Sequence, residues 1–168
     1  MKTFKTLSST ILFLFAVFTM SAQSKVAHIN SQALISEMPK VKEAQAQLEK
    51  LQKTYATEIE ATMKEYQTKL QTYSADAQNQ TEVTNQARQK ELAGMEQNIQ
   101  QYQQTASQDI QKKQADLLKP LIEKARAAIQ KVARAQGYDY VIDGTQGGSL
   151  ILSDGKDLIE DVKKELGF

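Results

Sequence analysis

The chain has 168 residues, with 21 basic and 20 acidic side chains and a formal net charge of +1. So even a balance gives no electrostatic case for binding nucleic acid or an acidic substrate. No cysteine is present, which excludes disulfides, a thiol nucleophile and lipid attachment at a cysteine. His28 is the one histidine, with no second histidine or cysteine to complete a metal site, so it reads as a structural residue on a strand. No GxxxxGK[ST] motif and no cluster of carboxylates at a strand end appears, so neither a nucleotide-driven machine nor an enzyme is expected, and no cofactor is implied.

In chain order, Lys2 and Lys5 precede an apolar core from Ile11 to Met20 and a small-residue end at Ser21-Ala22. This is the pattern of a cleaved secretory signal over residues 1–22, too short for a stable membrane span. Its removal leaves 146 residues with 19 basic and 20 acidic groups, a net charge of −1. Export to the periplasm is the expected localisation, with membrane association at most peripheral.

Lys25 to Asn30 is rich in β-branched residues and alternates roughly, predicting a short strand. Asn30 or Ser31 can cap a short helix through Glu37, which Pro39 ends while opening a longer one. From there Val41, Ala44, Leu48, Leu51, Tyr55, Ile59, Met63, Tyr66, Leu70, Tyr73 and Ala77 recur over 36 residues at a mean spacing of 3.6. One face of a long helix is therefore apolar.

A second series runs through Leu92, Met95, Ile99, Tyr102, Ala106, Ile110 and Leu117, and continues to Val132. The two series superpose as an antiparallel hairpin if facing residues sum to about 161, with the turn near Gln80 and Thr81. The seam residues are then Leu48, Leu51, Tyr55, Ile59, Tyr66, Leu70, Met95, Ile99, Tyr102, Ile110 and Leu117. A spacing of 3.6 predicts nearly straight helices rather than a tight supercoil. The seam mixes leucine and isoleucine with alanine, methionine and tyrosine, so it should be thin, and the tyrosines should pack with their hydroxyls at the water edge. Asn79 or Thr81 can cap the return helix, and Glu82, three residues after Asn79, suggests a capping box.

Pro120 should kink the return helix, and Gly137 should stop it. Tyr138 to Asp143 reads as a strand, Gly144 to Gly148 as a turn and Ser149 to Ser153 as a further strand. Asp157 and Glu160 form a capping box opening a last helix from Leu158 to Leu166. The expected domains are a β-rich body, 23–39 with 120–168, and an arm, 40–119, with its tip near 78–83. Three short strands cannot bury both faces alone, so a homo-oligomer that pools them is the physical remedy. Its contacts are expected from Val26, Ile29, Tyr138, Tyr140, Ile142, Leu150, Leu152, Leu158 and Val162. Lys112, Lys113, Lys119, Lys124 and Arg126 outnumber the acidic groups around them, whereas Asp139 to Glu165 holds seven acidic and three basic residues. The two segments either neutralise each other or leave a basic collar that attracts anionic partners.

The opening KVAHINSQALISEMPKVKEAQAQLEKL and the close GYDYVIDGTQGGSLILSDGKDLIEDVKKEL together resemble the Skp/OmpH family across essentially the whole mature chain. The resemblance implies a mainly α fold with a small β body, a long helical hairpin inserted in it, and a jellyfish-like homotrimer. It implies an ATP-independent periplasmic holdase for unfolded outer-membrane β-barrel proteins, with no nucleic acid partner. The best-known members have basic arm tips, whereas this tip sets Asp76 and Glu82 against Arg88 and Lys90, so no lipopolysaccharide site is carried over. The alternative is an exported coiled-coil adaptor docking through its arms.

Overall fold

The computed structural model of the protein describes residues 24–147 and 150–168. The expected signal segment, 1–22, and the first residue of the expected Ser149–Ser153 strand lie outside them. Backbone contacts group the chain into two units. One holds the described residues up to Ser31 together with Ala127–Gly167, and the other holds Gln32–Arg126 with Phe168.

The first unit is built on β1 (Val26–Ile29), flanked by β2 (Tyr140–Asp143) and β3 (Lys156–Asp157) in the order β2-β1-β3. Both neighbours run parallel to β1. Parallel pairing cannot be made by a tight turn, so everything between β1 and β2 is a crossover connection. Alternation along β1 turns Ala27 and Ile29 inward, each 2% exposed, and leaves Val26 on the opposite face, 44% exposed. Leu158 and Val162 are fully buried, the latter on α4 (Ile159–Leu166).

The expected strand at Ser149–Ser153 is corrected by the structure. Among its described residues none is in a strand, and Ile151 is wholly exposed. The free edge of β1 is satisfied further on, where the Leu158 amide donates to the His28 carbonyl at 3.1 Å, and the His28 ring Nε2 meets the Gly155 carbonyl at 3.0 Å. On that edge only Ala27 and His28 are paired, with Lys156 and Asp157 of a two-residue partner. That partner must also lead into α4, where the Asp157 carboxylate accepts the Ile159 amide at 2.9 Å. Asp157 therefore serves the first helical amide from the residue before the N-cap, Leu158, which has no side-chain cap of its own. Glu160 pairs with Lys163 instead of completing a box.

The N-terminus of α1 (Ser31–Glu37) is capped from a distance. Asp143, at the end of β2, accepts the Ser31 amide at 3.2 Å and the Ser31 hydroxyl. Burial pushes the Asp143 carboxyl up, but the hydrogen bonds from Ser31 and Thr145 outweigh it and hold the group below its ordinary value.

The second unit contains α2 (Pro39–Asp76), a single 3₁₀ turn (Ala77–Asn79) and most of α3 (Glu82–Ala135). Pro39 stands at the start of α2, where its missing N–H costs nothing. At 1.5 Å per residue α2 is about 57 Å long and α3 about 81 Å. The helix continues through Pro120 to Ala135. It stops where Gly137, at φ +70°, donates to Arg134 at 3.1 Å while Tyr138 donates to Ala133 at 2.9 Å. Those two bonds form a left-handed glycine cap.

Burial along the second unit is graded. Leu34, Met38, Val41, Ala44, Leu48, Ala106 and Ala125 are buried. Toward the tip Ala106 is the last buried seam residue, and the others beyond Leu51 are half-buried, apart from Met63 and Leu70 at 42% and 41% exposure. Two helices without a third layer cannot enclose their contact line.

Leu158→Ala, which empties a fully buried site, is expected to lower stability by about 2–5 kcal/mol. Gly137→Ala meets no atom within 4 Å of the added Cβ. Its cost is therefore conformational, about 1 kcal/mol. Urea unfolding followed by circular dichroism checks both.

Candidate functional site

The feature that distinguishes the second unit is how the two long helices hold each other. Three tyrosines of the seam each donate their hydroxyl to a carboxylate on the other helix. Tyr55 reaches Asp109 at 2.9 Å, Tyr73 reaches Glu91 at 2.7 Å, and Tyr102 reaches Glu58. The rings of Tyr55 and Tyr102 also meet edge to face, 5.8 Å between centroids. Phenol-to-carboxylate bonds are charge-assisted and stronger than neutral ones. They let an aromatic ring fill the seam while its polar end stays satisfied at the rim.

These bonds shift the tyrosines in the direction expected of a phenol beside an anion. Tyr102 is pushed up to about 12 by its hydrogen bond to Glu58. Tyr55 is raised by Asp109 and Tyr73 by Glu91.

At the tip the polar contacts become dense. Arg88 pairs with Asp76 at 3.1 Å and lies over the Tyr73 ring at 4.6 Å. Lys69 pairs with Glu91 at 2.6 Å. Gln80 and Asn79 both donate to Asp76, and the Asn85 side-chain Nδ2 donates to the Ala77 carbonyl at 2.9 Å. Thr81 caps α3 by accepting the Thr84 amide at 3.2 Å. Asn79 is therefore not the cap, and Glu82 accepts from Gln86 rather than closing a box. The helix starts at Glu82, which puts Thr81 at the N-cap position and leaves Asn79 in the 3₁₀ turn before it. Arg88 holds the Asp76 carboxyl below its ordinary range, and Lys69 does the same for Glu91.

The expected seam residues lie as follows. Leu48 is buried, Leu70 is exposed, and Leu51, Tyr55, Ile59, Tyr66, Met95, Ile99, Tyr102, Ile110 and Leu117 are half-buried. The facing rule holds, because every cross-helix bond described above joins residues whose numbers sum to between 157 and 164. Sequence reasoning missed the carboxylates Glu58, Glu91 and Asp109, and named Asp76 only for its charge at the tip. The same sum, applied to polar residues, would have set each near its partner.

In the first unit, Ile29, Leu158 and Val162 are buried, Tyr138 and Leu150 are half-buried, and Val26, Tyr140, Ile142 and Leu152 are exposed. Val26 pairs in register with Tyr140, and His28 with Ile142. One face of the sheet therefore carries Val26, Tyr140 and Ile142 at 44%, 61% and 43% exposure. That is an apolar face which this unit leaves uncovered.

Lys112, Lys113, Lys119, Lys124 and Arg126 are all exposed on α3. Further along the same helix, Lys131 pairs with Glu165 of the acidic close of the chain, at 2.5 Å. No group of three or more histidine, cysteine, aspartate or glutamate residues that could hold a metal ion is found among the described residues. Among them, too, no helix is long and apolar enough to cross a membrane.

A mainly helical chain, with two long helices between the first and second strands of a small parallel sheet, defines the class. The chain belongs to the outer membrane protein (OmpH-like) family, whose model matches residues 25–166. It is also similar to a candidate outer membrane chaperone (OmpH-like) of Caulobacter crescentus CB15, with a TM-score of 0.75 and 15% identity. The match covers 87% of this chain and 85% of that one. At that identity the likeness speaks for the fold. A search of curated proteins finds no match.

The depressed carboxyls of Asp76 and Glu91 stabilise the tip above the ordinary carboxylate range, and that contribution is lost as pH falls through their lowered values. Amide exchange near residues 76–91 should therefore stay slow down to the ordinary carboxylate range, about pH 4, and quicken only below it. Asp76→Asn should make the tip exchange faster already at neutral pH. The raised tyrosine gives the opposite sign, full below about pH 10 and lost as pH rises through the folded value. Titration of phenolate absorbance should show Tyr102 near 12, returning toward the ordinary value in Glu58→Gln.

Proposed function

We propose that the protein is an ATP-independent periplasmic holdase, a homotrimer whose helical arms enclose unfolded outer-membrane β-barrel proteins and keep them from aggregating. The observation that carries this reading is the arm itself. It is a long two-helix unit clasped by polar bonds, whose apolar seam is half-buried over most of its length and exposed at Met63 and Leu70. Membership of the OmpH-like family supports a chaperone role, as does the fold shared with a protein described as a candidate outer membrane chaperone.

Physically, an unfolded β-barrel chain aggregates by pairing strand edges and exposed apolar surface with other copies. Surrounding it with several weakly adhesive arms blocks that pairing. Each contact is weak, and retention comes from multivalency rather than from a deep site. With no nucleotide motif in the sequence, release follows from transfer to whatever folds the client. The uncovered sheet face of Val26, Tyr140 and Ile142 supplies the surface through which copies associate. No part of the mechanism requires a cofactor, and the protein acts by binding, not by chemistry.

The test is native mass spectrometry of the exported protein, alone and after rapid dilution of a urea-unfolded outer-membrane β-barrel into it. The expected N-terminus is Gln23, the expected assembly is a trimer, and the expected complex holds three copies and one soluble client. Tyr140→Lys with Ile142→Lys should shift the protein to monomer. A trimer that lets the client precipitate would overturn the holdase in favour of an adaptor. A folded wild-type monomer would remove the cavity altogether.

A further inference from the structure

On α3, a stripe separate from the seam lines a shallow groove of about 460 Å³. Its floor is Ala115, Leu118 and Ile122, spaced three and four residues apart and so on one helix face. Ile122 is 40% exposed, although the seam of the same helix runs through Ile110 and Leu117. Gln111 and Gln114 edge one end with primary amides that can both donate to and accept from a peptide backbone. Lys119 and Arg126, two turns apart, supply cations along the flank, with Glu123 between them. Among the ion pairs of the described residues none uses Lys119 or Arg126. From Gln111 to Arg126 the helix carries five basic and two acidic residues.

We propose that this groove captures client segments in which apolar side chains alternate with carboxylates. The inference rests on the holdase reading and gives it a place and a preference. The apolar floor takes the side chains of an extended segment and the glutamines take its peptide groups. Lys119 and Arg126 take the carboxylates, and the net charge of the stripe fixes the sign of the partner. A second copy of the same stripe is disfavoured, because two such segments each carry the same net positive charge. The glutamine amides favour a polypeptide over a lipid surface, which offers few backbone-like partners. Strand segments with acidic residues would be held here, while neutral apolar segments would rely on the seam.

The experiment uses the full exported protein and two labelled fifteen-residue peptides, one alternating leucine with glutamate and the other leucine with glutamine, followed by fluorescence anisotropy. The wild type should bind the glutamate peptide more tightly, and Lys119→Glu with Arg126→Glu should weaken that binding by about tenfold at low salt. The same variant should leave the glutamine peptide unchanged, whereas Ile122→Ser should weaken both. Lys119→Gln with Arg126→Gln serves as the milder variant, with an intermediate loss expected. Equal binding of the glutamate peptide by wild type and charge-reversed protein would overturn the groove. So would a loss confined to vesicles of anionic phospholipid. If the wild type fails to keep a β-barrel client soluble yet binds the glutamate peptide through Lys119 and Arg126, the holdase reading falls and the groove stands. If clients stay soluble and charge reversal changes nothing, the groove falls and the holdase stands.

Discussion

The second unit depends on a contact line between two helices that has no third layer to cover it. Leucine and isoleucine alone would leave such a seam either exposed or prone to stick to other apolar surfaces. The chain answers with Tyr55, Tyr73 and Tyr102, whose rings pack at the seam while their hydroxyls reach Asp109, Glu91 and Glu58 on the facing helix. Each clasp works only in one register, so the bonds specify alignment as well as adding attraction. The polar network of Asp76, Arg88, Lys69 and Glu91 does the same at the tip, where apolar burial has faded.

A structure held in this way can remain accessible without falling open. Met63 and Leu70 are partly exposed on a helix whose pairing does not rely on hiding them. An arm that hid all its apolar surface would have nothing to offer an unfolded chain, and one that relied on that surface for pairing would come apart when it bound. In the proposed holdase, polar clasps would separate the two tasks. The other unit shows a comparable division, with Ala27 and Ile29 turned into its own core and Val26, Tyr140 and Ile142 left on the uncovered face.

The helical part of this architecture was legible in the sequence because it is periodic. The 3.6-residue spacing, Pro39 at the helix start and Gly137 at the stop are local signals, and the facing rule near 161 matches the cross-helix bonds. The sheet was legible only in part. β1 and β2 alternate and are rich in β-branched or aromatic residues. β3 is Lys156–Asp157, two residues with no pattern of their own, chosen by the free edge of β1 and the first amide of α4. The alternating SLILS stretch carried the stronger local signal, yet tertiary pairing passed it over. Asp143 capping α1 across 112 residues of chain is likewise a product of folding that no local pattern announces. The candidate site lies between these cases: its apolar residues were visible from their period, while its carboxylates become legible only when the facing rule is extended to polar residues.

The central claim is that the arms hold the client and the sheet holds the copies together. Hydrogen exchange read by mass spectrometry, on the protein with and without an unfolded outer-membrane β-barrel, tests it most directly. The account predicts that client binding slows exchange along α2 and the facing part of α3 and leaves β1 and β2 unchanged. Protection confined to the strands, or none along either helix, would contradict it.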